Sequence, residues 1–353
     1  MSKFGGLMKI PKGIEGDYLE TKENNLFFDI KGYHHPRDRK ICFLRFYPDK
    51  NGDRSKEGKN YKKIYSLNDR YLKLREDYPQ FLFYSNQLDL ELQGVKNEDI
   101  KKVYTPREYY DALKMRKDLS EIEKHSKNMC ELLITIGSIP EDAIGISGSP
   151  MIGLSKDNSD IDLIIYGTRA SLEFQDKLKA MLLTSSNFRT YNYNEYKTHY
   201  DWRVGGSGIS FENFLKSEKR KLHQGKFHGI DFFIRYIKSP SDWNGTFYDY
   251  EFKNLGRIKI KAKIIKSTNS IFTPCAYKIE CLKVLETKIN GNRINFNNLN
   301  EINSFRGRFC EQATKGESVF VEGKLEEVKF KTRTYLRILL TSQKHDKMVV
   351  INS

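Results

Sequence analysis

Short apolar and aromatic runs separated by polar turns fill residues 24–104. The runs LFFDI, KICFLRFYP, NYKKIYSL and FLFYS are rich in aromatic and β-branched residues and are bounded by Asn, Gly, Asp and Pro. This pattern is typical of strands joined by turns, so we expect a β-rich N-terminal domain over residues 1–104. Its interleaved tyrosines and lysines could stack on nucleobases, but a sheet core of tyrosines with lysines outside is the favoured explanation.

The pattern changes at Thr105. A threonine, a proline and then a glutamate three residues after the threonine form a capping box, which predicts the start of a helix. Apolar residues at helical spacing extend this helix to about Ile136. Further on, the runs AIGIS, IDLIIYG and HGIDFFIRYI predict strands, while residues 171–183 and 211–223 predict helices. Strands alternating with helices indicate a mixed sheet with flanking helices, placed at residues 105–245 with its leading helices.

Strand patterns without helices return over residues 246–353. The runs GRIKIKAKIIK, AYKIECLKVLET, SVFVEGKLEEVKF and TYLRILLTS alternate apolar and polar residues, and INGNR predicts a turn. Several short strands with glycine turns predict a small OB-like β-barrel, because closure protects the sheet edges. The chain as a whole is therefore expected to be a multidomain protein of the α+β or α/β class.

Basic residues are concentrated in this last region. The formal net charge of the chain is +15, and from Glu251 to Ser353 there are 20 Lys and Arg residues against 10 Asp and Glu residues. This asymmetry indicates an acidic partner, most commonly nucleic acid. A lysine-rich surface that is merely solvated would have the same composition.

The cysteines and the apolar runs bear on location. The five cysteines are scattered and include no Cys-x-x-Cys pair, which favours reduced thiols in a cytoplasmic protein. The first residues contain no signal-peptide core, and no apolar run reaches the roughly 20 residues of a membrane span. We expect a cytoplasmic protein that does not associate with membranes.

The segment GISGSPMIGLSKDNSDIDLIIYG places Asp160 and Asp162 at the start of an apolar strand. Residues i and i+2 share a face of a strand, so the two carboxylates project together and repel each other. Mg²⁺ or Mn²⁺ would remove this repulsion, since such ions bind one or two carboxylates together with water and substrate phosphate. Asp231, the lone charge near the start of the strand HGIDFFIRYI, is the candidate third carboxylate of a two-metal centre.

A phosphate-binding turn is expected ahead of these aspartates. Gly148 lets the backbone approach a phosphate closely, and Ser149 and Ser159 offer hydroxyl groups. Lys219 and Arg220 lie between the paired acids and Asp231 in sequence and are further candidates for phosphate contact. A solvated helix would carry the same two charges.

The segment SFRGRF alternates aromatic residues and arginines. Phe305, Arg306 and Arg308 suit stacking and phosphate contact on a barrel face, as expected of a nucleic-acid-binding surface. A strand with Phe305 and Phe309 inside explains the pattern as well.

The combination of Gly-Ser, a gap of ten residues, Asp-x-Asp followed by aliphatic residues, and a later Asp on a strand resembles the nucleotidyltransferase superfamily. That superfamily includes DNA polymerase β and the CCA-adding enzymes. The chain as a whole is also similar to a group of archaeal proteins predicted to be nucleotidyltransferases. The motif covers residues 145–235, and the remaining sequence departs from the better-known relatives by predicting a barrel where a helical domain normally follows.

The resemblance implies a metal-dependent enzyme that transfers a nucleoside monophosphate from ATP or another NTP to an acceptor hydroxyl and releases pyrophosphate. It implies that Gly148 and Ser149 hold the triphosphate, that Asp160 and Asp162 hold two Mg²⁺ or Mn²⁺ ions, and that Asp231 holds the second ion and acts as base. RNA or another nucleic acid is the expected acceptor. The alternatives are a non-catalytic nucleic-acid-binding protein on this scaffold, or a nucleotidyltransferase that modifies a protein or a small molecule.

Overall fold

The computed structural model describes residues 10–204, 206–289 and 294–351. Residues 290–293, which include most of the predicted turn INGNR, and the first nine residues lie outside this described part. Three sheets and several helices make the protein a mixed α+β structure, as the sequence predicts for the coarse class. No helix within the described ranges is long and apolar enough to cross a lipid bilayer.

The described residues form two compact units. The first unit contains residues 10–84, 91–189 and 224–245. The second contains residues 85–90, 190–223 and the described residues from 246 onward. The predicted N-terminal and central domains thus contribute to one unit, while part of the central region groups with the predicted barrel.

The first unit begins with an eight-stranded sheet. Its strands are β1 (Tyr18–Thr21), β2 (Phe27–Ile30), β3 (Arg39–Pro48), β4 (Arg54–Lys56), β5 (Lys59–Lys63), β6 (Leu82–Ser85), β7 (Leu90–Lys96) and β8 (Ile100–Tyr104). The order is β4-β5-β3-β2-β1-β8, and β7 pairs with both β3 and β6. Helix α1 (Leu67–Asp77), capped by Ser66, interrupts the strands and was not predicted.

Two helices follow where the sequence predicts one. Helix α2 (Pro106–Met115) begins at the Thr105 cap as predicted, but it ends at Met115. Helix α3 (Glu121–Thr135) starts anew, because Ser120 and Glu123 form a second capping box. The prediction of one continuous helix to Ile136 was wrong, since a cap inside a helical pattern outweighs the apolar spacing.

A five-stranded mixed sheet completes the first unit. Its strands are β9 (Ile144–Ile146), β10 (Ile161–Tyr166), β11 (Phe188–Arg189), β12 (Gln224–Phe227) and β13 (Ile230–Ile237), in the order β11-β12-β13-β10-β9. Strands β10 and β13 are parallel, and the other neighbours are antiparallel. The four-residue helix α4 (Gly148–Met151) precedes β10, and α5 (Thr168–Thr184) follows it, close to its predicted range.

The second unit is built on a six-stranded sheet. Its strands are β14 (Tyr250–Lys266), β15 (Cys275–Ile289), β16 (Leu299–Ser304), β17 (Ser318–Phe330), β18 (Arg333–Leu339) and β19 (Lys347–Ile351). The order is β14-β15-β16-β18-β17-β19, and β14 also pairs with β17, so the pairings of five strands close into a ring. Strands β14 and β15, with 17 and 15 residues, are longer than predicted.

Two helices also belong to the second unit. Helix α6 (Tyr193–Val204) lies in a Tyr- and Asn-rich stretch that the sequence analysis leaves without an element. Helix α7 (Phe211–Glu218) ends before the predicted limit of residue 223, with Lys219 at its C-terminal cap. An apolar cluster of Val204, Ile209 and Phe214 joins the two helices.

Candidate active site

Strands β10 and β13 bring the predicted carboxylates to one end of the mixed sheet. The two strands are parallel neighbours, with Ile161 beside Phe232 and Asp162 beside Phe233. Asp160, one residue before Ile161, is therefore placed beside Asp231, one residue before Phe232. The sequence predicts this only if the two strands are neighbours in the sheet, and they are.

Alternation along these strands places the carboxylates on the face opposite Ile161 and Phe232. Ile161 and Phe232 are buried on one face of the sheet, at 0% and 1% exposure. Asp162 and Asp231 alternate with these residues and so project on the opposite face. Asp160 is exposed, Asp162 is half-buried, and 47% of the Asp231 side chain is accessible. The site is thus a partly open surface rather than an enclosed cavity.

The surroundings of Asp162 disfavour its charged form. Burial raises its pKa, and the negative charge of Asp160 raises it further. The positive charges of three residues lower the pKa and partly offset these effects: Arg235, Lys63 and Arg45. An additional cation at this position would therefore stabilise the charged form of Asp162.

Asp231 has a cation partner within the sheet. Its Oδ2 lies 2.8 Å from Nζ of Lys226, the residue directly opposite on β12. No three His, Cys, Asp or Glu side chains in the described ranges lie close enough together to form a ready-made metal site. The three aspartates therefore lie at the same end of β10 and β13 without forming a closed metal-binding cage.

The chemistry of these donors nevertheless fits Mg²⁺ or Mn²⁺. Mg²⁺ keeps several waters and is usually held by only one or two carboxylates together with substrate phosphates, so a closed protein cage is not required. The pair Asp160 and Asp162 supplies hard oxygen ligands whose mutual repulsion a divalent ion would relieve. For Asp231 to join them, its carboxylate must exchange Lys226 for the ion.

The Gly148 turn packs directly against Asp162. Gly148 has φ +75°, and a Cβ built on it would lie 2.4 Å from Oδ2 of Asp162. Only glycine fits at this position, because an L side chain would be strained and would collide with the carboxylate. The backbone N–H of Ser147 also donates to the carbonyl of Asp162 at 2.8 Å, which ties the turn to β10.

The two predicted serines lie in the same loop. Their Oγ atoms, in Ser149 and Ser159, are 3.3 Å apart, and Ser159 also accepts a hydrogen bond from the backbone N–H of Lys156 at 2.8 Å. Both serines are buried. The helix that begins at this turn, α4, has only four residues, so any anion binding here depends on individual donors rather than on a helix dipole.

Three cations near the carboxylates were missed by the sequence analysis. Arg45 on β3 and Lys63 on β5 come from the N-terminal sheet, and Arg235 comes from β13. Arg235 donates from Nη1 to Oε1 of the buried Glu15 at 2.6 Å. In the sequence, the position of Arg45 among the aromatic residues of FLRFYP was the available sign that it differs from an ordinary surface arginine. Only the packing of the two sheets shows which residues it lies near.

Lys219 and Arg220 lie in the second unit, whereas the aspartates lie in the first. Nη1 of Arg220 contacts Oε2 of Glu317 at 2.7 Å, and burial of both side chains is partial. Lys219 ends α7. The prediction that these two residues contact phosphate rested on their position in sequence before Asp231.

The two arginines of SFRGRF donate hydrogen bonds to backbone carbonyls within the second unit. Arg308 donates to the backbone carbonyls of Arg203, Gln343 and Asp346 at 2.9 to 3.1 Å, and burial lowers its pKa to about 10. Arg306 donates to the carbonyl of Thr341 at 2.8 Å. Strand β16 ends at Ser304, so the segment is not a strand, and of its two aromatic residues Phe309 is buried while Phe305 is 38% exposed.

Comparison with known proteins finds one relative of matching length. The chain is 27% identical over 333 residues to the uncharacterized protein MJ1086 of Methanocaldococcus jannaschii, covering 92% of this chain and 94% of the relative. No family model matches the chain. No solved structure matches it significantly.

Proposed function

We propose that the protein is a metal-dependent nucleotidyltransferase that transfers a nucleoside monophosphate from an NTP to an acceptor hydroxyl and releases pyrophosphate. The observation that supports this proposal is the parallel register of β10 and β13, in which Ile161 lies beside Phe232, so that the preceding residues Asp160 and Asp231 come at the same end of the two strands. Carboxylates at the same end of two neighbouring strands suit the binding of a pair of divalent ions.

Asp160 and Asp162 would hold the ions together with the nucleotide phosphates, and Asp231 would hold the second ion. Bound there, Mg²⁺ or Mn²⁺ supplies charge stabilisation to the phosphoryl group and activates the attacking hydroxyl. Gly148 lets the backbone of the turn pack against the Asp162 carboxylate, where any Cβ would collide with it. Ser149 and Ser159 offer hydroxyl groups from the same loop.

A nucleic acid, RNA first, is the proposed acceptor. Strands β14 and β15 carry outward-facing lysines, because Ile260 and Ala262 on either side of Lys261 are buried. Lys261 and Lys283 are exposed and directly opposite each other. Like charges in that position destabilise a sheet, and the phosphates of a nucleic acid would offset the cost.

The strand pairings of the second unit support the OB-like interpretation. The first five strands of the sheet pair cyclically through the contact of β14 with β17, and β16 is parallel to β18. Barrels of this kind commonly bind oligonucleotides. Four of the cysteines are buried free thiols, which supports a reducing, cytoplasmic location: Cys42, Cys130, Cys275 and Cys310.

Incubation with each α-labelled NTP, Mg²⁺ or Mn²⁺, and total RNA tests the proposal. We expect label on RNA together with released pyrophosphate, and neither product with Asp160→Asn. Label on the protein or on a small molecule would instead favour the corresponding acceptor. Salt-sensitive RNA binding without transfer of any label would contradict the enzyme and favour a binding protein on the same scaffold.

A further inference from the structure

The N-terminal sheet packs against the loop that carries the Gly148 turn. Phe46 on β3 and Tyr61 on β5 belong to one apolar cluster. The loop contributes three residues to this cluster, namely Met151, Ile152 and Leu154. The face of the sheet that bears Phe46 and Tyr61 is therefore the face turned toward the loop ahead of the aspartates.

Lys63 lies on this same face. It follows Tyr61 by two residues and pairs directly with Phe46 across β3 and β5. Its Nζ is 5.9 Å from the centroid of the Phe46 ring and 5.0 Å from that of Tyr65. The ammonium group is thus held at the edge of the cluster by aromatic rings, with its stem partly buried.

A β-bulge in β3 changes the direction of the Arg45 side chain. Phe27 pairs with Phe46 and Phe28 pairs with Leu44, so Arg45 is an additional residue in the register. Bulges of this kind redirect a side chain and are frequent beside active sites. The Arg45 guanidinium is hydrogen-bonded to the side chain of Tyr18, but its Nε atom is buried and has no hydrogen-bond partner among the described residues. A buried guanidinium donor without an acceptor is costly unless a ligand supplies one.

The carboxylate of Asp162 acts on both cations. Burial lowers the pKa of Lys63 and the charge of Arg45 lowers it further, whereas Asp160 and Asp162 raise it. Burial also lowers the pKa of Arg45, whereas Tyr18, Asp29 and, less strongly, Asp162 raise it. Divalent ions bound to Asp160 and Asp162 would neutralise the carboxylates that now attract Lys63 and, in part, Arg45. A phosphate bound beside the two cations would restore this attraction.

We propose that Arg45 and Lys63 bind the polyphosphate tail of the nucleotide, so that the N-terminal sheet forms one wall of the nucleotide site. This inference rests on the proposed function. The guanidinium supplies a planar fork that suits phosphate oxygens, and the ammonium supplies a point charge. The β-rich region thereby contributes binding residues that the aspartate motif itself does not contain.

Calorimetric titration with inorganic tripolyphosphate and Mg²⁺ tests the inference on the full chain. We expect Lys63→Gln to weaken binding at least about tenfold, because a hydrogen bond to a charged group is lost. Arg45→Lys, which keeps the charge and loses the fork, is also expected to weaken binding. Lys62→Gln is the matched control: the residue is adjacent on β5, exposed, and on the other face, so binding should change less than about twofold.

Equal binding by wild type, Lys63→Gln and Lys62→Gln, or no binding by wild type, would overturn the inference. The labelled-NTP assay on the same preparations separates the two proposals. Transfer by wild type with unchanged binding by Lys63→Gln leaves the nucleotidyltransferase standing and removes this role of the sheet. Binding that depends on Lys63 without any transfer by wild type supports the phosphate site and contradicts the enzyme.

Discussion

The position of Asp162 makes a lone negative charge costly. The carboxylate is half-buried beside Asp160, and the Gly148 backbone packs against it. Cations of the N-terminal sheet and Arg235 offset only part of this cost, since the pKa of Asp162 remains raised, first by burial and then by Asp160. A residue retained for stability alone would not be a carboxylate here, so the arrangement favours a ligand role.

Asp162→Asn separates activity from stability. Because the substitution removes repulsion from Asp160, we expect the free energy of unfolding to stay within about 1 kcal/mol of wild type or to rise. Nucleotide transfer should fall by more than about 100-fold, since even outer-shell partners of a metal contribute 10–100-fold. Urea denaturation and the labelled-NTP assay measure the two quantities. Wild-type turnover in this variant would remove Asp162 from the site.

Asp17, away from the three aspartates, is expected to make the free energy of unfolding depend on pH. Burial raises its pKa from 3.8 to about 7, although its Oδ2 accepts hydrogen bonds from the N–H groups of Gly13 and Ile14. Between pH 4 and 7 the folded protein therefore keeps a proton that the unfolded chain releases. Stability contributed by this group is present below pH 4 and is lost as pH rises to 7, by up to about 1.4 kcal/mol per pH unit.

Asp17→Asn should abolish this component, because the amide oxygen can accept the same two hydrogen bonds without titrating. We expect the difference in unfolding free energy between the variant and wild type to grow from pH 4 to pH 7 and then to level off. Urea titrations at several pH values measure it. A difference that does not vary with pH would show that Asp17 is already ionised when folded.

At the scale of elements, strands are better predicted than helix ends. The runs that contain β10 and β13 are short, apolar and β-branched, and each has one charged residue near its start, so both the strands and the candidate aspartates follow from local sequence. The break between α2 and α3 depends on Ser120 and Glu123, whose cap competes with an otherwise continuous apolar spacing. Helix α6 is missed because its buried face includes Arg203 and the half-buried His199, so the sequence lacks a continuous apolar stripe.

The Gly148 turn gives a prediction with a matched control. Gly148→Ala introduces both backbone strain and a collision with Asp162, whereas Gly58→Ala at φ +74° introduces strain alone, since nothing lies within 4 Å of its Cβ. Gly58→Ala should destabilise by about 1–2 kcal/mol and leave Mn²⁺ binding unchanged. Gly148→Ala should destabilise further and weaken Mn²⁺ binding about tenfold.

Thermal unfolding and Mn²⁺ titration of the two glycine variants distinguish these effects. If both variants lose stability equally and bind Mn²⁺ equally well, the contact between Gly148 and Asp162 has no influence on the site. The comparison does not depend on knowing the substrate.

At the scale of the whole molecule, the basic charge and the carboxylates belong to different compact units. The aspartates lie in the first unit, and the exposed lysines of β14 and β15 lie in the second. Composition predicts the basic region, but no local pattern shows that the N-terminal sheet packs on the loop ahead of Asp160. Arg45 and Lys63 could not be identified from sequence because their role depends on that long-range packing.

RNA binding should depend on Lys261 and Lys283, the exposed lysines that lie opposite each other on β14 and β15. Each lysine–phosphate contact with single-stranded RNA contributes about 0.7 to the slope of log affinity against log salt. The double variant Lys261→Gln with Lys283→Gln should therefore reduce the magnitude of this slope by about 1.4. The control combines Lys324→Gln with Lys347→Gln, which removes the same charge from side chains already paired with Glu326 and Glu322. Equal slopes in both double variants would show that the binding is diffuse rather than localised on β14 and β15.

Mn²⁺ binding to wild type, Asp231→Asn and Lys226→Gln tests most directly whether the aspartates of β10 and β13 form one metal centre. We expect Asp231→Asn to lose one of two bound ions, and Lys226→Gln to bind Mn²⁺ more tightly because the lysine no longer competes for the Asp231 carboxylate. Electron paramagnetic resonance of free Mn²⁺ gives both values. Wild-type stoichiometry and affinity in Asp231→Asn would contradict the shared centre.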